Sequence, residues 1–117
     1  MSDPPEQLTH PGVAGSARNW KLIAHNARVR DGWRALCRQL PGNALRCYDW
    51  LTTNPSKPIP GRCYALKHKR YVEAGVWGYE IGSGERIYYT LRLESREVLV
   101  YYAGPHPRKA VPYPPSE

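Results

Sequence analysis

GERIYYTLRLESREVLVYYAGPHPRKAVPY, residues 84–113, decides the fold. In its first half Ile87, Tyr89, Leu91 and Leu93 share one face and Arg86, Tyr88, Thr90 and Arg92 the other, the two-residue period of a half-buried strand. Arg86 is therefore expected to point away from the core. Glu94 and Ser95 form a polar turn, and Arg96 to Ala103 reads as a second strand of β-branched and aromatic residues ending at Gly104. Pro105-His106-Pro107-Arg108-Lys109 is too rich in proline to continue a ladder. If the two strands pair, the end of the second brings His106 and Arg108 near the start of the first, where Arg86 stands. That predicts a cationic cluster with one imidazole.

Working outward, Trp20 to Ala24 is a short strand by length and composition. Asn26 is placed to cap a helix running to Leu40, in which Val29, Trp33, Leu36, Cys37 and Leu40 make one apolar stripe. Pro41-Gly42 breaks it, Asn43 is placed to cap a second helix carrying Ala44, Cys47, Tyr48 and Leu51, and Asn54-Pro55 ends that one. A break this short implies an antiparallel helix pair on one sheet face, with Trp33, Tyr48 and Trp50 in the core. Beyond the proline-rich Lys57 to Gly61, Arg62 to Leu66 reads as a strand and Lys67-His68-Lys69-Arg70 as a basic bend. Tyr71 to Ile81 reads as a further strand or bulged hairpin, turned by Gly82-Ser83-Gly84 into Arg86. The fold class is α+β: an N-terminal strand and two antiparallel helices packed on a twisted, mainly antiparallel sheet of about four strands.

A chain of 117 residues suits one small domain, placed here at residues 19–111. Residues 1–18, with scattered apolar positions and three prolines, read as a flexible arm, and residues 112–117, with three more, as a loose tail. Four tryptophans and nine tyrosines without a phenylalanine mean that the large apolar area comes from amphipathic rings. Cys37, Cys47 and Cys63 show no C-x-x-C spacing and read as buried reduced thiols. No apolar run approaches the roughly 18 residues of a membrane span, and the basic and apolar regions of a signal peptide are missing, so the expected location is cytoplasmic, away from membranes.

The formal net charge of +7 is unevenly placed. Thr52 to Val72 holds Lys57, Arg62, Lys67, His68, Lys69 and Arg70 and no acid, and Val98 to Ser116 holds His106, Arg108 and Lys109, again with no acid. Segments of one sign favour a polyanionic partner, nucleic acid or an acidic protein. The plainer reading is a solvated basic face.

The order β-α-α-β-β-β, the phrase DGWRALCRQLPGNALRCYDWL, the phrase WGYEIGSGERIYY and the closing GPHPR together resemble the RelE/ParE superfamily of bacterial toxins over Trp20 to Arg108. They look closest to RelE-like proteins of the actinobacterial and phage type, which end in a Gly-His-Pro-Lys/Arg motif. The resemblance implies a microbial RNase fold acting as the toxin of a type II toxin-antitoxin system. It also implies a cognate antitoxin, and ribosome-dependent endoribonuclease cleavage of mRNA without metal or organic cofactor.

Cutting RNA in that way needs a base for the 2′-hydroxyl, cations on the phosphorane and an acid for the leaving 5′-oxygen. By the resemblance, Arg86 matches the strand arginine used on the scissile phosphate, and His106 stands where relatives place a catalytic arginine or histidine. Arg108 adds charge. Trp77 and Tyr79 fall where well-known members carry two lysines, so Tyr79 becomes a stacking group or weak proton donor, and Glu80 is a carboxylate of low rank as a base. Lys67, Lys69, Arg70, Lys109 and Tyr113 are the candidate RNA contacts. Against these stand plainer roles: Arg86 in a cross-strand ion pair with a neighbour such as Glu97, Tyr88, Tyr101 and Tyr102 in sheet packing, and Lys67 to Arg70 as a solvated turn. Two other uses of the same fold stay open, a ParE-like inhibitor of DNA gyrase and a non-catalytic RNA-binding or host-interaction module.

Overall fold

In the computed structural model, which describes residues 5–13 and 19–115, strand β1 (Glu6–Gln7) lies antiparallel to β2 (Lys21–Ala24). The two-residue β1 is too short to show a period, and with it the sheet has six strands among the described residues, correcting the expected four. β2 runs parallel to β6 (Glu97–Pro105), beyond which β5 (Glu85–Arg92), β4 (Trp77–Glu80) and β3 (Cys63–Ala65) follow antiparallel. The order is β1-β2-β6-β5-β4-β3, a mixed open sheet in an α+β chain. β5 stops at Arg92, so Leu93 enters the turn, where Arg96 takes a left-handed φ of 54°; expected in the core, Leu93 is instead 70% exposed.

Helix α1 (Ala27–Gln39) starts as the sequence predicts, with Asn26 Oδ1 accepting the Val29 N–H at 3.0 Å and Val29, Trp33, Leu36 and Cys37 buried. Helix α2 (Pro41–Thr53) begins two residues before the predicted cap, because proline is at home in a first turn whose N–H groups have no helical partner. Asn43 is therefore not a cap. Its side-chain amide donates to the Ile81 carbonyl at 2.8 Å and ties α2 to the end of β4. Both helices bury their stripes against Leu22, Ala24, Tyr79, Ile87, Tyr89, Val98 and Val100 on one sheet face. The three cysteines are buried free thiols, and burial pushes the Cys37 thiol up to about 11. Among the described residues no helix is long and apolar enough to cross a membrane.

Two further expectations are corrected. The stretch Tyr71 to Ile81 divides into a six-residue helix α3 (Lys69–Ala74) and β4; His68 Nδ1 accepts the Arg70 N–H at the front of the helix, and Gly75, at φ 70°, closes it. The predicted flexible arm is docked over residues 5–13: Leu8 is 3% exposed, Trp33 Nε1 donates to the Thr9 carbonyl at 2.9 Å, and His10 is buried beside the Pro41 carbonyl. Residues 1–4 and 14–18 of that arm lie outside the described residues.

Helix α1 approaches β6 closely at Gly32. Its Cβ, were there one, would lie 2.2 Å from the Ala103 carbonyl oxygen, a main-chain atom that no rotamer moves away. Alanine gains roughly 1 kcal/mol of helix propensity over glycine, while overpacking costs about 1–3 kcal/mol, and a backbone clash this deep puts the cost at or beyond the top of that range. Gly32→Ala is therefore expected to destabilise by about 2 kcal/mol, lowering the thermal midpoint by roughly 10 °C. Gly42→Ala is the control: there the nearest atom is the end of a flexible Arg46 side chain at 3.7 Å, and the midpoint holds or rises. A Gly32→Ala midpoint equal to wild type would remove the close approach from the account of this fold.

The core is unusually phenolic, and that fixes its alkaline limit. Desolvation pushes Tyr79 up to about 12, does the same for Tyr64 with help from its bond to Glu80, and raises Tyr89 and Tyr101 as well. A folded value raised above the unfolded one, about 10, stabilises fully below pH ~10 and is lost as pH rises through the folded value. The thermal midpoint, followed by far-UV circular dichroism, is expected to fall steeply between about pH 10 and 12. Lysine deprotonation in the same window lowers the self-repulsion of a +7 chain and works the other way, so a fall reports on the phenols. A flat midpoint to pH ~12 would contradict it.

Candidate nucleic-acid interface

The sheet face away from α1 and α2 is built in cross-strand rows. Tyr64, Gly78, Tyr88 and Tyr102 are successive register partners from β3 to β6. Gly78 makes room: a Cβ there would meet the Tyr88 ring at 3.1 Å and the Tyr64 ring at 3.4 Å. Tyr88 is 3% exposed and lies 5.7 Å from the Tyr102 ring, so sheet packing is its role. The next row is Glu80, Arg86 and Gly104. Arg86 does point away from the helices, but it is not open. Its Nη1 donates to the carbonyls of Gly82 at 3.0 Å and Glu85 at 2.9 Å, and Nη2 stands 3.6 Å from Glu80 Oε1, leaving the side chain 12% exposed. Tyr64 donates to the other Glu80 oxygen at 2.8 Å. The ion-pair partner of Arg86 is thus Glu80, directly across the hairpin, and not Glu97, which is held by Ser95 at 3.0 Å and faces Arg92.

Tyr79 is misplaced by the sequence reading. As the register partner of Ile87 it faces the helices, 2% exposed, inside the main core, where it cannot meet a scissile phosphate. Trp77 shares that face and stacks on Tyr89 at 6.3 Å.

The basic loop follows the end of β6. The backbone N–H of His106 donates to the Gly84 carbonyl at 2.8 Å, one residue past the last register pair, Glu85 with Pro105. His106 is thus held two residues along the chain from Gly104, the partner of Arg86. The imidazole is exposed, with Nδ1 2.8 Å from the Pro107 carbonyl. A carbonyl only accepts, so Nδ1 carries a proton in this contact. Arg108 and Lys109 follow, both exposed. The chain then returns: the Val111 carbonyl accepts from Tyr71 at 2.5 Å and the Pro112 carbonyl from Tyr101 at 2.8 Å. The predicted loose tail is therefore anchored at Pro112 and Tyr113, with residues 116–117 outside the described ones.

This return joins the two basic segments. The Arg70 guanidinium lies over the Tyr113 ring at 4.7 Å and over Tyr71 at 5.6 Å. Arg108 and Lys109 are two or three residues from Val111, so their backbone lies within about 10 Å of it at full extension. Lys67, Lys69 and Arg70, at the start of α3, are exposed. No family model matches the chain, and no curated protein does. The interface thus rests on its own chemistry: a basic loop bearing one imidazole, a second basic cluster fastened to it by aromatic contacts, and an exposed tyrosine ring between them.

Sequence reasoning missed Tyr64 and Tyr71, which hold Glu80 and the returning chain. For Tyr71 there was a signal, its place three residues after His68, one helical turn on.

Proposed function

We propose that this protein is the toxin of a type II toxin-antitoxin pair, a ribosome-dependent endoribonuclease that binds mRNA and ribosomal RNA through the His106 to Lys109 loop and the start of α3. The observation that carries this reading is the fastening of two acid-free basic segments to each other through residues 111–113, just beyond the exposed imidazole of His106. Such a surface attracts phosphates over a Debye length and orders them near a group able to move a proton. His106 is the acid-base residue and Arg108 the cation next to the phosphate. Arg86 acts from beneath, by holding the turn that carries Gly84, the backbone partner of His106. The strongly basic surface also suits a cognate antitoxin with an acidic segment. No metal or organic cofactor is called for by this set of groups.

One observation favours a second reading. With Arg86 tied to three main-chain carbonyls and to Glu80, and Tyr79 in the core, the same surface is also that of a non-catalytic RNA-binding or host-interaction module. Induced expression in bacterial cells with genome-wide mapping of mRNA 5′ ends separates the two. Growth arrest with new, codon-phased 5′ ends is the expected result. Arrest without phased cleavage overturns the nuclease, RNA retention without cleavage supports the module, and accumulated gyrase-linked DNA breaks point to a ParE-like target.

A further inference from the structure

We infer that residues 111–113 form a clasp that positions the basic loop, and that Tyr71, Tyr101 and Arg70 are positioning residues of the proposed RNA site. The inference rests on that reading of the site for its consequence, and on geometry alone for its existence. The loop is fixed at both ends. At its start the His106 N–H closes the β5/β6 ladder on Gly84 at 2.8 Å. At its far end two phenols from different elements donate to consecutive carbonyls, Tyr71 of α3 to Val111 at 2.5 Å and Tyr101 of β6 to Pro112 at 2.8 Å. Tyr113 then lies under the Arg70 guanidinium at 4.7 Å and 6.2 Å from the Tyr71 ring.

The bulge in β6 serves this arrangement. Register passes from Tyr88 with Tyr102 to Tyr89 with Val100, which leaves Tyr101 as the extra residue. An extra residue bends its strand and re-aims its side chain. Tyr102 keeps its place in the tyrosine row while Tyr101 is released from the alternation to reach Pro112. Chain ends ordinarily fray, and a proline-rich one forms no ladder of its own. Here the far end of the loop is held by phenol hydroxyls that can donate to the carbonyl of any residue, and Pro105, Pro107 and Pro112 limit the conformations the loop has left. The result is a short, pre-organised cationic loop, which loses less freedom on meeting a phosphate backbone than a free tail carrying the same charges.

The test removes the two hydroxyls and keeps the rings. In full-length Tyr71→Phe/Tyr101→Phe, trypsin cleavage after Arg108 and Lys109 is expected to quicken roughly tenfold or more, since both anchoring bonds are gone, while cleavage after Lys67, Lys69 and Arg70 stays at the wild-type rate. Binding of a single-stranded RNA oligonucleotide, measured by fluorescence anisotropy at fixed salt, should weaken several-fold with no change of charge. Tyr113→Ala, at a 46% exposed position, removes the Arg70 contact without touching the core and is expected to act in the same direction. Unchanged cleavage at Arg108 and Lys109 in both variants overturns the clasp. Faster cleavage with unaltered RNA affinity overturns the positioning role. A wild-type protein that protects the loop from trypsin yet binds no RNA sinks the proposed function and leaves the clasp standing.

Discussion

Converting Lys67, Lys69, Arg108 and Lys109 together to alanine is expected to lower affinity for single-stranded RNA on the order of 10²–10³-fold at 0.1 M salt, by counterion release alone. Each phosphate neutralised on a single strand contributes about 0.7 to the slope of log K against log salt, so leaving four phosphates without their cations at ~0.1 M amounts to about 2.8 logarithmic units. All four side chains are exposed, so the fold is expected to survive and the thermal midpoint to change little. The slope is the sharper readout, because a misfolded variant binds more weakly without its slope falling by about 2.8. The two pairs also report separately. If only Lys67 and Lys69, or only Arg108 and Lys109, change the slope, RNA covers one basic segment and the join through Arg70 and Tyr113 is not part of the footprint. Slope and affinity both unchanged would mean a solvated basic face with another purpose.

How much of this was legible in the sequence depends on whether a feature is written in side-chain period or in main-chain geometry. Helix α1 is of the first kind: Asn26 and the stripe from Val29 to Cys37 specify its start and its buried face, and both are found as read. The alternation of Ile87 with Arg86 likewise gives the faces of β5 correctly. What period does not carry is how far a long side chain reaches. Arg86 lies on the outward face, yet its partners are carbonyls of the turn that the Gly82-Ser83-Gly84 run creates, and nothing in residue identity marks a carbonyl as an acceptor for a particular guanidinium. The docking of residues 5–13 is of the same kind, since one buried leucine and one indole-to-carbonyl bond leave no repeat to see.

Tyr79 illustrates a missed inference of another sort. Its face follows from hairpin register, and register was recoverable from charge: Glu80 opposite Arg86 is a favourable cross-strand pair, and choosing it puts Tyr79 opposite Ile87 and so in the core. Read with that register, the positions that the RelE-like resemblance fills with lysines cannot both face the phosphate in this chain. Trp77 and Tyr79 share the helix-covered face. Whatever positive charge the proposed reaction uses must come from the loop after β6 and from α3, which is where the acid-free segments lie. The failure on Tyr79 thus shifts weight onto His106 and Arg108.

That shift makes His106→Ala the decisive substitution. If His106 is the acid-base group, its removal should reduce the rate of RNA cleavage by about 10²–10⁴-fold, the usual worth of a positioned proton-transfer residue. RNA affinity should stay within a few-fold of wild type, because Lys67, Lys69, Arg108 and Lys109 are untouched. The fold should be indifferent, since the imidazole is exposed and the bond that matters structurally is made by its backbone N–H, which alanine keeps. Arg86→Ala makes the contrasting case. It strips the donor from the Gly82 and Glu85 carbonyls and takes the cation from Glu80, leaving that carboxylate only its bond from Tyr64 among these contacts, so stability and cleavage should fall together. Single-turnover cleavage of an mRNA bound to the ribosome, run beside thermal melts of each variant, reads both quantities. Full cleavage by His106→Ala would take the imidazole out of the chemistry and leave the loop a binding element only. Cleavage abolished in His106→Ala at an unaltered melting temperature is the result that a packing role cannot produce.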